Sequence, residues 1–221
     1  RKPDNKVEAR INFNTMTKNQ TSFYPVSMLE EERVCRNKPL VDIILTLLKA
    51  KAVFVNNPIQ YGYLLNQAVR QYIIPQDHWH ISEEAKKVWD SITDDDIRKF
   101  TFQQQININK IDDTMEIGES ILIEGGKKTP FNKIFICEHI TPVSDVIKVL
   151  EKRKDSLTSE SVAKLLDKMH IARILQSENK EIEKRNNRWT DYSDIPDCKQ
   201  IVNDFYDPAG IHIVELKYTE K

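Results

Sequence analysis

The sequence predicts an α+β protein, and three observations predict it. Up to about residue 100 apolar residues recur at helical spacing; from there to residue 137 they alternate or form short apolar runs; past residue 139 the two patterns interleave. The expected division is therefore a mainly helical part, residues 1–100, followed by an α+β part, residues 101–221. A chain of 221 residues fits one or two domains and is long enough to bury a sizeable core.

Residues 1–26 are polar and weakly patterned, which suits an arm or a frayed terminus. Ser27 can cap a short helix, MLEEERVC, with its acids in the first turn. Asn37 and Pro39 would open a second, in which Leu40, Ile43, Ile44, Leu47 and Leu48 form a buried face. Asn57-Pro58 repeats that opening for a third helix with Tyr61, Leu64, Leu65, Ala68 and Val69 on one side. Ser82 caps SEEAKKVWDSI, and Thr93 with Asp94, Asp95 and Asp96 starts DDIRKF as a solvated helix start. His78 and His80 flank Trp79 in a loop without a third ligand nearby, so metal binding is not expected of them.

Strand patterns then take over. QQQININKI alternates, MEIGESILIEGG carries Gly118 as a bulge and Gly125-Gly126 as a turn, and FNKIFIC follows as the partner in a hairpin. Beyond residue 139 the sequence reads as helix SDVIKVLEKRK from Ser144, helix TSESVAKLLDKM capped by Thr158, strand HIARILQ and helix SENKEIEKR capped by Ser177. The loop NNRWTDYSDIPD, the short helix KQIVNDFY, a turn at Asp207-Pro208-Ala209-Gly210 and the strand IHIVELKY complete the chain.

Composition narrows the class. Hydrophobic residues make up 39% and charged residues 30%, and no apolar run approaches a membrane span, so neither membrane insertion nor a secretory signal is expected. Cys35, Cys137 and Cys198 lie far apart without a CxxC, which argues for a reducing cytoplasm and against structural zinc or a disulfide framework. The net charge is only −1, yet residues 127–188 hold 14 Lys or Arg against 9 Asp or Glu. That local surplus suits a polyanionic partner.

The chemistry gathers on the same stretch. An apolar strand ends in Glu138-His139-Ile140-Thr141-Pro142, and the proline, which cannot donate to a ladder, suits a strand end. A second strand would pair with the first and bring the start of helix SENKEIEK, with Asn179 in its first turn, to the same place. Amides of that turn would favour an anion. Hydrolysing a phosphodiester needs a base for water and a cation to offset charge on phosphate. Neighbouring strand residues point to opposite faces, so Glu138 and His139 can share a site only where the strand ends and twists.

The order strand, acid-His pair, second strand, helix with an Asn resembles the HNH, or ββα-metal, nuclease family, with EHITPV matching its opening motif and ILQSENKEIEKR its helix half. The resemblance covers residues 131–185. It implies His139 as general base, Glu138 and Asn179 as ligands of Mg²⁺ or Mn²⁺, and Lys180, Lys184, Arg185 and Arg188 as DNA contacts. Glu178 is the alternative to Asn179 as ligand, and Trp189 either stacks on a base or packs in the core. The 40 residues between His139 and Asn179 exceed the family's compact core, so the helices of residues 144–169 would be an insertion. The family's middle Asn, which orients the histidine through its backbone carbonyl, is not matched by an Asn; Asp167 or Lys168, just before the second strand, would occupy its place, and the family's zinc-knuckle cysteines are absent. The activity so implied is a metal-dependent endonuclease cutting double-stranded DNA, of the type II restriction or defence kind, with the N-terminal part supplying DNA contacts or a homodimer interface. The alternative is a non-catalytic DNA-binding or assembly module.

Overall fold

The computed structural model describes residues 30–73, 79–100, 104–108, 114–116, 122–185 and 193–216. Its elements, in chain order, are α1 (Glu30–Lys49), α2 (Pro58–Ile73), β1 (Trp79–Ser82), α3 (Glu83–Ile92), β2 (Gln105–Asn107), β3 (Thr114–Glu116), β4 (Leu122–Glu124), β5 (Lys128–Pro130), α4 (Phe131–Ile134), β6 (Phe135–His139), α5 (Val143–Arg153), α6 (Ser159–Leu166), β7 (Ile171–Leu175), α7 (Gln176–Glu183), α8 (Cys198–Ile201) and β8 (Ile213–Glu215). The architecture is α+β, helical first and mixed afterwards.

Four strands form the central sheet in the order β6-β7-β1-β8. β7 and β1 are parallel, whereas β6 on β7 and β8 on β1 are antiparallel. All five residues of β7 are buried, as an interior strand covered on both faces requires. On one face Ala172 and Ile174 meet Ile140, Ile182, Ile201, Phe205 and Tyr206, which brings α7 and α8 onto the sheet. On the other face Ile171 joins the core shared by α1, α2, α5 and α6, while Ile81, Phe135 and Leu175 meet α3 and α4.

Several elements follow the sequence reading closely. Ser82 accepts the Ala85 N–H at the start of α3, Asn57 accepts the Gln60 N–H at the start of α2, and Thr158 accepts the Ser161 N–H in a capping box. Gly210 takes the left-handed φ of 74° where the chain turns toward β8.

Other expectations are corrected. Pro39 does not open a new helix but sits inside α1. Of the face expected of α1, Ile44 and Leu48 are buried and Leu40 and Leu47 pack against the same core, whereas Ile43 is 48% exposed and Val41 and Leu45 are buried as well. The acids near Thr93 start no α-helix; Asp96 caps a single 3-10 turn, Ile97–Lys99. FNKIFIC splits into α4, where Phe131 and Ile134 are buried three residues apart, and β6, which pairs with β7 as expected of the two strands but not in the local hairpin also expected of it. The local pairs are instead β3 with β4 and β2 with β5. Helix α5 begins at Val143, one residue before the start expected at Ser144. Gly118 lies outside the described residues.

The change of pattern near residue 100 is a change in secondary structure and not in packing. β1, from the N-terminal part, lies between β7 and β8, and α1 and α2 share one core with α5 and α6. Among the described residues no helix is long and apolar enough to cross a membrane.

Candidate functional site

β6 and β7 pair along their whole length, from Phe135 opposite Leu175 to His139 opposite Ile171. Because the ladder continues through His139, the alternation of a regular strand holds there too. Ile136 and Ile140 pack in the core beneath α7 and α8, so Glu138 shares their face. Cys137 and Ile171 pack in the core of α1, α2, α5 and α6, and His139 belongs to that side. The strand end therefore does not bring Glu138 and His139 into one site.

Register also fixes where α7 starts. Leu175, the residue before it, stands opposite Phe135, at the end of β6 remote from Glu138. The first-turn amides of α7 are thus not delivered to Glu138, contrary to expectation. The helix runs back along β6, and Asn179 and Glu183, one turn apart, reach the cavity that Glu138 lines. Ser177 is not the cap; the Glu178 carboxylate accepts the Leu175 N–H at 2.7 Å and a hydrogen bond from the Ser82 hydroxyl at 2.6 Å. Burial raises the Glu178 pKa against the pull of those two bonds. Tied in this way, Glu178 pins α7 to the start of α3 and does not face Glu138.

The cavity has a volume of about 370 Å³ and is lined by Glu138, Asp145, Lys148, Asn179, Glu183 and Arg185, among others. The Tyr206 hydroxyl donates to Glu138 Oε1 at 3.4 Å. Lys148 pairs with Asp145 at 2.7 Å, and Asn179 Nδ2 donates to Glu183 Oε1 at 2.8 Å. Arg185 Nη2 donates to the Pro208 carbonyl at 2.6 Å. The donors Glu138, Asp145, Glu183 and the Asn179 carbonyl are all oxygen, which fits Mg²⁺ or Mn²⁺ in kind. Their carboxylates form no ready-made cluster: among the described residues the His, Cys, Asp and Glu side chains grouped to hold an ion are His80, His170 and Cys198. An ion in the cavity would rest on Glu138 and Asn179, with water completing its shell, as Mg²⁺ commonly accepts.

Lys180 and Lys184 line a different cavity of about 360 Å³, on another side of α7, with Ser177, Glu181 and Gly210. Lys184 is paired there with Glu181 at 2.6 Å. Arg188, Trp189 and His78 lie outside the described residues.

Sequence reading missed Asp145, Lys148, Glu183 and Tyr206, which only tertiary packing brings to Glu138. It also placed His80 in a loop, whereas His80 is in β1 and approaches Cys198, 118 residues away. No local spacing carries that signal. Comparison with family models, curated proteins and solved structures finds no match for this chain.

Proposed function

We propose that the protein is a metal-dependent nuclease that hydrolyses phosphodiester bonds in DNA at the cavity between β6, α5 and α7. The observation that carries this reading is the lining of one cavity by Glu138 from β6 and Asn179 from α7, on an antiparallel strand pair that runs directly into the helix. Glu138 and the Asn179 carbonyl would hold the divalent cation; the amide nitrogen of Asn179 is already committed to Glu183. When bound, the cation offsets the charge developing on phosphate and lowers the pKa of water. Lys148 and Arg185 stand at the same cavity as cations able to contact a phosphate oxygen. Proton transfer falls to the cavity's carboxylates, Asp145 or Glu183, because His139 is on the other face of the sheet.

That position of His139 is also what favours the second reading, a DNA-binding module without catalysis. Plasmid cleavage with and without EDTA tests the proposal, with nicked and linear products read separately. EDTA-sensitive cleavage that falls in both Glu138→Ala and Asn179→Ala supports it. DNA binding without any cleavage in Mg²⁺ or Mn²⁺ leaves the non-catalytic module as the better account.

A further inference from the structure

We propose that His80, His170 and Cys198 form a transition-metal site whose donors fit Zn²⁺. Three remote parts of the chain supply it: His80 from β1, His170 from the residue before β7, and Cys198 from the first position of α8. One atom of each lies within 4.8 Å of the others, and Cys198 Sγ stands 3.9 Å from His80 Nε2. The two imidazoles are nearly perpendicular, at 85°, with centroids 5.2 Å apart.

These distances suit one tetrahedral ion. With Zn–N bonds of about 2.0–2.1 Å and a Zn–S bond of about 2.3 Å, the nitrogen and sulfur ligands stand roughly 3.5 Å apart and two bound rings have centroids roughly 5 Å apart. The ring separation already has that value, so the widest pair must close by roughly 1 Å, within reach of side-chain rotation. A thiolate with two imidazoles selects zinc and its neighbours over Mg²⁺, whereas the oxygen donors around Glu138 select the reverse.

The surroundings favour a cation. His80 pairs in register with Glu215 of β8, so both project from the same sheet face. Burial, then the carboxylates of Glu215 and Asp197, push the Cys198 thiol up to about 12. Each of those carboxylates opposes a lone thiolate yet attracts a dication, whose own charge reverses the effect. His80 also stands opposite Ala172, as Glu138 does from the other side, so one strand separates this site from the Glu138 cavity on the same face. Among the described residues three donors are grouped here, and three protein donors with water or a substrate atom in the fourth position is the pattern of reactive and not purely structural zinc sites.

The test is titration of the full chain with Co²⁺, after treatment with chelator and its removal. The expected result is a sulfur-to-cobalt charge-transfer band that saturates at one equivalent and disappears on adding Zn²⁺. Cys198→Ser should lose the band, while Cys137→Ser and Glu138→Ala keep it. His170→Gln should weaken Zn²⁺ binding by more than about tenfold. Wild-type protein showing no such band in excess Co²⁺ would overturn the proposal, whatever the variants do, and so would a band that survives in a folded Cys198→Ser.

Discussion

Glu178 shows how a carboxylate beside a cavity can be structural, and its pH behaviour can be worked out. Burial holds its pKa above the ordinary value. A carboxyl raised in the folded state favours folding while protonated; that contribution is fully present below the unfolded value of about 4.3 and is lost as the pH rises through the folded one. Glu178→Gln is neutral throughout and keeps an oxygen to accept the Leu175 N–H. Its stability relative to wild type should therefore improve as the pH goes from about 4 to about 7, read as the difference in urea midpoints. A decline over that range would mean that the bonds from Ser82 and Leu175 outweigh burial. His139 makes the second case at this scale. Removing a general base typically costs about 10² to 10⁴ in rate. With the imidazole on the opposite face from Glu138, His139→Ala should instead cleave within about threefold of wild type in single turnovers, far short of that loss. A loss of the larger size would return the base to His139 and require β6 to untwist at its end when DNA binds. The pair Glu138-His139 was legible in the sequence as chemistry; the face of each residue was not, because it depends on where the ladder stops.

At the scale of elements, α1 shows what local signals can and cannot decide. Proline is favoured at a first helical position, and Asn37 before it made a plausible opening. The helix continues through Pro39 because Ile44 and Leu48 are almost wholly buried against α2 and α6, and tertiary packing outweighs a local penalty. Pro39 itself is exposed, so replacing it opens no cavity. Pro39→Ala restores a helical N–H and should stabilise the protein by roughly 1–3 kcal/mol, seen as a rise in the thermal midpoint. An unchanged or lower midpoint would mean that the restricted backbone of Pro39 stabilises the fold as much as the missing N–H weakens it. Caps were read better than faces. Ser82, Asn57 and Thr158 act within three residues of themselves, whereas the buried side of α1 is set by distant partners and differs from the expected one by a residue. Register lies beyond local signals too: FNKIFIC has strand composition, but only the presence of β7 decides that β6 pairs there and that its first turn becomes α4.

For the whole molecule, the topology places both candidate centres on one sheet face and distributes the cations of α7 and of the two residues after it, Lys180, Lys184 and Arg185, around the helix. Arg185 faces the Glu138 cavity, while Lys180 and Lys184 face the neighbouring one. A polyanion crossing α7 could therefore meet positive charge on both sides. The exposed pair of Lys184 with Glu181 is a weak competitor, of a kind worth about 0.2–1 kcal/mol, and Arg185 binds a neutral carbonyl. The charge surplus of residues 127–188 was readable from the sequence, but its division between two surfaces was not, because residues 180 and 185 separate only once the helix is docked. If DNA binding uses about five phosphate contacts, affinity should fall with salt along a log–log slope of about −4.5. Each contact removed should flatten that slope by about 0.9, so neutralising Lys180, Lys184 and Arg185 together should bring it to about −1.8. Neutralising Arg185 alone should also impair cleavage, because it stands at the cavity with Glu138 and Asn179. The two lysines should affect binding and leave the single-turnover rate at saturating DNA unchanged. Equal losses of that rate from both sets would show that DNA does not cross α7 in this way, and an unchanged slope in the triple variant would move the phosphate contacts to another surface.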